Sequence, residues 1–203
     1  MNKPTGFDEA QVMGDWTPPE LGGHYLIIKD VREQQTATGK PMIVVFFDFN
    51  KNDKQPGYFM TQFTENTDPD KKWPIGGRNY IMVNDYMDDS KTSKSFKTFC
   101  TCVENSNKGF KVTWGGDNWG QQFRNKLIGG IFGQVENEYN GKITMRSQLR
   151  WFCSVDKVAD AKIPNPKYLN GSSPSTSQST ASSSNDPYDF VNVDENNDDG
   201  VPF

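Results

Sequence analysis

Cysteine, histidine and long apolar runs are scarce in this 203-residue chain, and each scarcity removes a class of protein. Three cysteines, an odd number, do not make a disulfide framework, so a reducing, cytoplasmic setting is expected. The single histidine, His24, leaves no basis for a His-dependent nucleophilic triad. Behind Gly22-Gly23 it reads as a surface residue at the start of a strand. The longest apolar run, Met42 to Phe47, falls far short of the roughly 20 residues that span a bilayer. The opening MNKPTGFDEAQ lacks an apolar stretch behind Lys3, which argues against a signal peptide. No phosphate-cradling Walker loop and no repeat at a fixed period occur. Cys100 and Cys102, two apart in a helical pattern, and Cys153 in a strand read as buried thiols. Most structural zinc sites need four ligands. No metal, cofactor or catalytic activity is therefore expected.

What the chain does hold is aromatic. Hydrophobic residues make up only 33%, yet Phe, Trp and Tyr reach 13%, so the core is modest and some rings are left to face water. The formal charge of −4 argues at first against a nucleic-acid binder, since polyanion affinity rests on Lys and Arg displacing counterions. Its distribution reverses that argument. Residues 172–184, SSPSTSQSTASSS, contain ten Ser or Thr in thirteen and cannot bury enough apolar surface to order themselves. Beyond them stand Asp186, Asp189, Asp194, Glu195, Asp198 and Asp199 with no Lys or Arg. Residues 171–203 thus carry −6, while residues 1–170, with 22 Lys and Arg against 20 Asp and Glu, carry +2. The expected layout is a folded domain over 1–170, a Ser-rich flexible linker over 171–185 and an acidic, disordered tail over 186–203.

The folded part reads as mainly β. Tyr25–Glu33 and Met42–Phe49 flank the turn-like TATGK segment as a hairpin, and Tyr58–Phe63 is a further strand candidate after Gln55-Pro56-Gly57. Over 91–104, Phe96, Phe99, Cys100 and Val103 fall at helical spacing with Lys91, Lys94 and Lys97 among the polar positions, which predicts an amphipathic helix. A shorter helix is expected over Asn118–Leu127. For the last hairpin, a two-residue Asn140-Gly141 turn would mix Glu138 with Ile143 and Glu136 with Met145 on one face, so side-chain parity favours a three-residue loop, Tyr139-Asn140-Gly141. That register sends Ile143, Met145, Leu149 and Trp151 inward and Thr144, Arg146, Gln148, Arg150 and Phe152 outward. The element order predicts a five-stranded barrel of the oligonucleotide-binding (OB) kind with one or two inserted helices.

The chain stops at Asp198-Asp199-Gly200-Val201-Pro202-Phe203. A ring and an aliphatic side chain can fill a pocket while the carboxylates steer toward a basic rim, and Pro lowers the ordering cost. This ending, behind its linker, resembles the acidic tip of bacterial single-stranded DNA-binding proteins, with Val201 at the aliphatic position and Gly200 in place of the last Asp. Residues 1–170 lack the opening strand pattern of the bacterial housekeeping protein and look more like a divergent phage-encoded member of that class, most of all over Leu127–Val158. The resemblance implies a protein that coats single-stranded DNA in replication, recombination or repair within a bacterial host cytoplasm. It further implies recruitment of partner enzymes through Asp198, Asp199, Val201, Pro202 and Phe203. A homo-oligomer would add avidity along the strand.

Single-strand binding needs a basic groove and rings on which bases stack. Trp73 lies beside Lys71, Lys72 and Arg78, while Trp114 and Trp119 lie near Lys111 and Arg124, all in glycine-bearing loops. Arg146 and Arg150 are expected together on the outer face of the last strand, and at most one of Tyr58 and Phe59 belongs to the core. The contrary readings are tryptophans folded back as caps, arginines paired with Glu136 or Glu138, and a solubilising tail. Two other classes of function are weighed against DNA coating: a metal-dependent nuclease using Asp88-Asp89 or Asp68 and Asp70, and an interaction adaptor that ignores DNA.

Overall fold

The computed structural model describes residues 3–5, 7 and 17–169. The linker 171–185 and the tail 186–203, with Asp198, Asp199, Val201, Pro202 and Phe203, lie outside the described residues. Five antiparallel strands, β1 (Gly22–Gln35), β2 (Pro41–Phe49), β3 (Arg78–Met82), β4 (Leu127–Tyr139) and β5 (Lys142–Cys153), form one sheet in the order β3-β2-β1-β4-β5. Two α-helices, α1 (Tyr58–Glu65) and α2 (Lys94–Ser106), interrupt them. The sheet is not the closed barrel that the element order predicts: β3 and β5 are its two ends, and no pairing joins them among the described residues. Helix α2 packs against β3 at one end and against β4 and β5 at the other. No helix among the described residues is long and apolar enough to cross a membrane.

The first hairpin follows its sequence pattern. Gly39 adopts a left-handed φ of 77°, and the Thr36 N–H and Lys40 C=O close the turn at 2.9 Å. β2 is buried along Met42–Phe49, on both its faces. The predicted strand over Tyr58–Phe63 is instead α1, and β3 went unread. Gly57, at φ 67°, is the N-cap of the helix and its N–H bonds the Phe49 carbonyl at 3.0 Å, and Asp48 Oδ1 accepts the Phe59 N–H at 2.9 Å, satisfying a donor of the first turn from outside the helix. Phe59 and Phe63, four apart, then share one face, Phe59 against Phe47 and Phe49 and Phe63 against Trp73. A short apolar run does not distinguish the two periods, and Asp48 is a tertiary partner.

Helix α2 has the predicted buried side, Phe96, Phe99, Cys100 and Val103, with Cys102 added. Ser93 caps it, its Oγ accepting the Phe96 N–H at 3.1 Å. Lys94 and Lys97 are exposed on the helix, and Lys91 precedes it. All three thiols are buried, and burial pushes Cys100 and Cys153 up to about 12. The helix expected over Asn118–Leu127 is reduced to a 3-10 turn, Trp119–Phe123.

The last hairpin overturns the three-residue loop. Tyr139 pairs with Lys142, so Asn140 and Gly141, at φ 51° and 72°, form the two-residue turn after all. Glu138 opposes Ile143 and Glu136 opposes Met145, the mixture that parity disfavours, because among the described residues this half of the hairpin has no core beneath it and Ile143, Met145 and Arg146 are all exposed. A bulge then corrects the register. Ile131 pairs with Trp151 and Phe132 with Leu149, leaving Arg150 as the extra residue. Leu149 and Phe152 therefore both enter the main core, contrary to the outward position predicted for Phe152, and Trp151 packs on the opposite side with Ile131, Cys153 and Val158. Around Phe47 the main core is a lattice of rings, Phe59, Phe132 and Phe152 meeting it edge-on.

Candidate nucleic-acid interface

A second bulge, in β1, decides what faces outward. Leu26 and Ile28 enter the core, but the register with β2 jumps between Ile28 and Asp30, so Lys29 is the extra residue. After it Val31 is the core residue, and Asp30 and Arg32 point to the other side. Strict alternation would have placed them on the side of Leu26 and Ile28; on the opposite side Asp30 is still buried, with Phe46 and Val44 beside it. Cross-strand pairing then sets up two rows on that outer face: Asp30, Phe46 and Arg78 in one, Arg32, Val44 and Tyr80 in the next.

Three arginines converge there. The Arg32 guanidinium lies 4.6 Å from the centroid of Phe46 and that of Arg78 lies 5.9 Å away, so the ring has a cation over it from each flanking strand. Asp30, nearly buried, accepts Arg32 Nε on one carboxylate oxygen and Arg124 Nε on the other, both at 2.9 Å. The hydrogen bond and charge of Asp30 raise the pKa of Arg124, whose side chain remains half-exposed. Arg78 also donates through Nε and Nη2 to the Trp73 carbonyl, which fixes its direction. Arg78 and Arg124 are sequence candidates that the fold brings together, 46 residues apart in the chain. Arg32, Phe46, Tyr80 and Asp30 were missed, and alternation along β1 pointed the wrong way for two of them.

On the Val31 side of β1, towards α2, stands a ladder of rings. Trp114, 68% exposed, stacks on Trp119 with centroids 5.6 Å apart and planes 19° from parallel, and Trp119 leans on Phe96 and Phe123. The loop that carries Trp114 is anchored. Gln122 accepts the Thr113 N–H at 2.9 Å and donates to the Thr113 carbonyl at 3.0 Å. Glu104 accepts the Val112 N–H and the Lys111 ammonium, contacts that hold its carboxyl below the usual range. The ladder and the arginines meet through the Trp119–Phe123 turn, which packs on β1. A Cβ on Gly120 would lie 1.9 Å from the Val31 carbonyl oxygen, so only glycine admits this approach, and Arg124 follows at once. Trp119, Val31 and the arginine cluster are thereby held in one neighbourhood.

Other predicted positions lie elsewhere. Trp73 is not an exposed ring: it is 2% exposed and donates its indole N–H to the Gly77 carbonyl at 3.1 Å. Arg150 does not share an outer face with Arg146. At 7% exposure it donates to the carbonyls of Asn165 and Gln134, clasping the segment that follows β5 onto β4. Arg146 is exposed on the projecting half of the hairpin, opposite Val135. Tyr58 is half-buried against Phe49 and Phe59, and burial raises its hydroxyl pKa. Lys72 is exposed, and Lys111 is tied to Glu104 at 3.1 Å. His24 is not a surface residue. Fully buried and stacked on Phe49, it places one ring nitrogen 2.9 Å from Asp53 Oδ1 and the other 2.9 Å from the Glu20 carbonyl. Asp88 and Asp89 pair with Lys91 and Lys40, and Asp68 accepts the Asp70 N–H.

No protein-family model matches the chain, and no curated protein is significantly similar to it in sequence.

Proposed function

We propose that this chain binds single-stranded DNA without sequence preference, as a phage-type coating protein of replication, recombination or repair. The observation that carries the reading is the exposed Trp114 ring stacked on Trp119, with the half-exposed Arg124 held by Asp30 just past the same Trp119–Phe123 turn and Arg32 and Arg78 lying over Phe46 on the other side of the sheet. A guanidinium can take a phosphate while the exposed Trp114 ring takes a base, the two components of a sequence-tolerant platform. The strand order supports an OB-like architecture: it is that of an OB barrel opened between its third and fifth strands, with α2 after β3 lying across the seam. In this reading the acidic tail serves as the partner-docking element and does not add to DNA affinity.

The test is titration with oligo-dT at several salt concentrations. The expected result is binding that quenches tryptophan fluorescence and weakens steeply with salt, Arg124→Ala lowering the salt slope by about 1. Removing residues 171–203 leaves the affinity unchanged or raises it. Absence of both quenching and a gel shift at low salt overturns the proposal, and degradation of the oligonucleotide on adding Mg²⁺ would favour the nuclease reading instead.

A further inference from the structure

Beyond the end of β3 the chain forms a finger whose tip presents two apolar side chains to solvent. Tyr86 is 78% exposed and Met87 86% exposed, more than any other large hydrophobic residue described. Their exposure does not come from a loose backbone. Asn84 bridges Thr92, the Asp85 N–H bonds the Lys91 carbonyl at 2.8 Å, and the Lys91 N–H bonds the Asp88 carbonyl at 2.9 Å. The Met87 N–H bonds Asp85 Oδ1 at 2.9 Å, and at the base the Ser93 N–H bonds the Val83 carbonyl.

The finger extends from the end of the sheet formed by β1, β2 and β3. Two residues beyond the row of Arg32, Val44 and Tyr80 comes the row of Gln34, Met42 and Met82, and the Val83 N–H then bonds the Pro41 carbonyl. At roughly 3.3 Å per residue, the base of the finger is about 10 Å from Tyr80 along β3. The three carboxylates around the tip, which would otherwise repel phosphates, are engaged within the protein. Asp88 binds Lys91 at 2.8 Å, Asp89 binds Lys40 at 3.0 Å and Asp85 accepts the Met87 N–H. Lys40 Nζ also lies 5.7 Å from the centroid of Tyr86, which places a cation beside the ring.

We propose that the Tyr86–Met87 tip is a second base-stacking subsite, taking a nucleobase of the same single strand whose neighbouring bases stack on Trp114, which lies against Phe96 three residues past the base of the finger at Ser93. The inference rests on the DNA-binding reading. A stacked base gives affinity without phosphate contact, so this subsite contributes to binding but not to its salt dependence.

The experiment uses the full chain and oligo-dT. Tyr86→Ala with Met87→Ala is expected to weaken binding about ten-fold with an unchanged salt slope and an unchanged thermal midpoint, whereas Tyr86→Phe retains affinity. Irradiation of an oligonucleotide carrying 5-iodouracil should crosslink the peptide that contains Tyr86. If the wild-type chain binds oligo-dT but the double variant binds equally well and no crosslink maps to residues 84–92, the inference falls while the DNA-binding reading stands. If the wild-type chain does not bind oligo-dT at all, both fall together.

Discussion

Two loops of this protein have nearly the same local chemistry and opposite structures. KKWPIGG and KVTWGG each put a tryptophan between lysine and a glycine pair, yet Trp73 is buried and Trp114 stands in solvent. The glycines account for the difference. Gly77 lies so close beneath the Trp73 indole that a Cβ would sit 2.5 Å from its Nε1, so the missing side chain is what admits the ring. A Cβ on Gly115 or Gly116 would meet nothing within 4 Å among the described residues, and the two adopt φ of 88° and 87°, turning the backbone just after Trp114 and leaving its ring on Trp119. The same residue type makes room in one loop and supplies a left-handed turn in the other.

The contrast breaks most decisively if the two tryptophans behave alike. Trp73→Ala should destabilise the fold by about 3–5 kcal/mol in urea unfolding, through lost packing against Phe63 and an unpaired Gly77 carbonyl. Trp114→Ala should change stability by less than about 0.5 kcal/mol yet weaken oligo-dT binding by about 1–3 kcal/mol. A smaller effect is expected from the glycines. Gly77→Ala should cost about 1–3 kcal/mol by overpacking, and Gly115→Ala about 1 kcal/mol of backbone strain with no lost packing. Equal losses would mean that the two glycine pairs serve one purpose.

Buried carboxylates sharpen the same distinction between a group whose burial is satisfied and one whose burial is not. Burial works to raise the Asp53 pKa, but the His24 ring N–H and the backbone N–H groups of Gln55 and Tyr25 outweigh it and hold the carboxyl below its usual value. Asp53 therefore stabilises the fold above the unfolded carboxylate range, near pH 4, and that stability is lost as pH falls through its lower folded value. At Asp48 burial outweighs the Phe59 and Phe49 N–H groups and Lys29, and the pKa is raised. Its ionised form is the disfavoured one, and its contribution improves as pH falls through the raised value. Urea unfolding at pH 7 should accordingly show a larger loss for Asp53→Asn than for Asp48→Asn, and only the first should flatten the acid limb of the stability profile.

Legibility followed how local each determinant was. The β1–β2 hairpin was readable because a polar, glycine-bearing turn separates two apolar strands, and α2 because four buried positions recur at helical spacing. Helix α1 was misread because its first turn is satisfied by Asp48 in β2. At the candidate site, Arg78, Arg124, Trp114 and Trp119 were named as cations and rings in loops. That the two arginines reach Phe46 and Asp30 was not legible, since the alternation that locates core residues fails at Lys29 and Arg150. A bulge is a property of two paired strands, and one strand's period does not reveal it.

The sequence by itself determined the division of charge, +2 before residue 171 and −6 after it, the aromatic surplus, the first hairpin and the amphipathic helix, because composition and short-range periodicity need no partner. Tertiary structure alone decided which tryptophan is buried, which arginine becomes an internal clasp and which three share a face. Each of those outcomes depends on what another strand or loop places opposite the residue, at a distance along the chain that a local pattern does not encode.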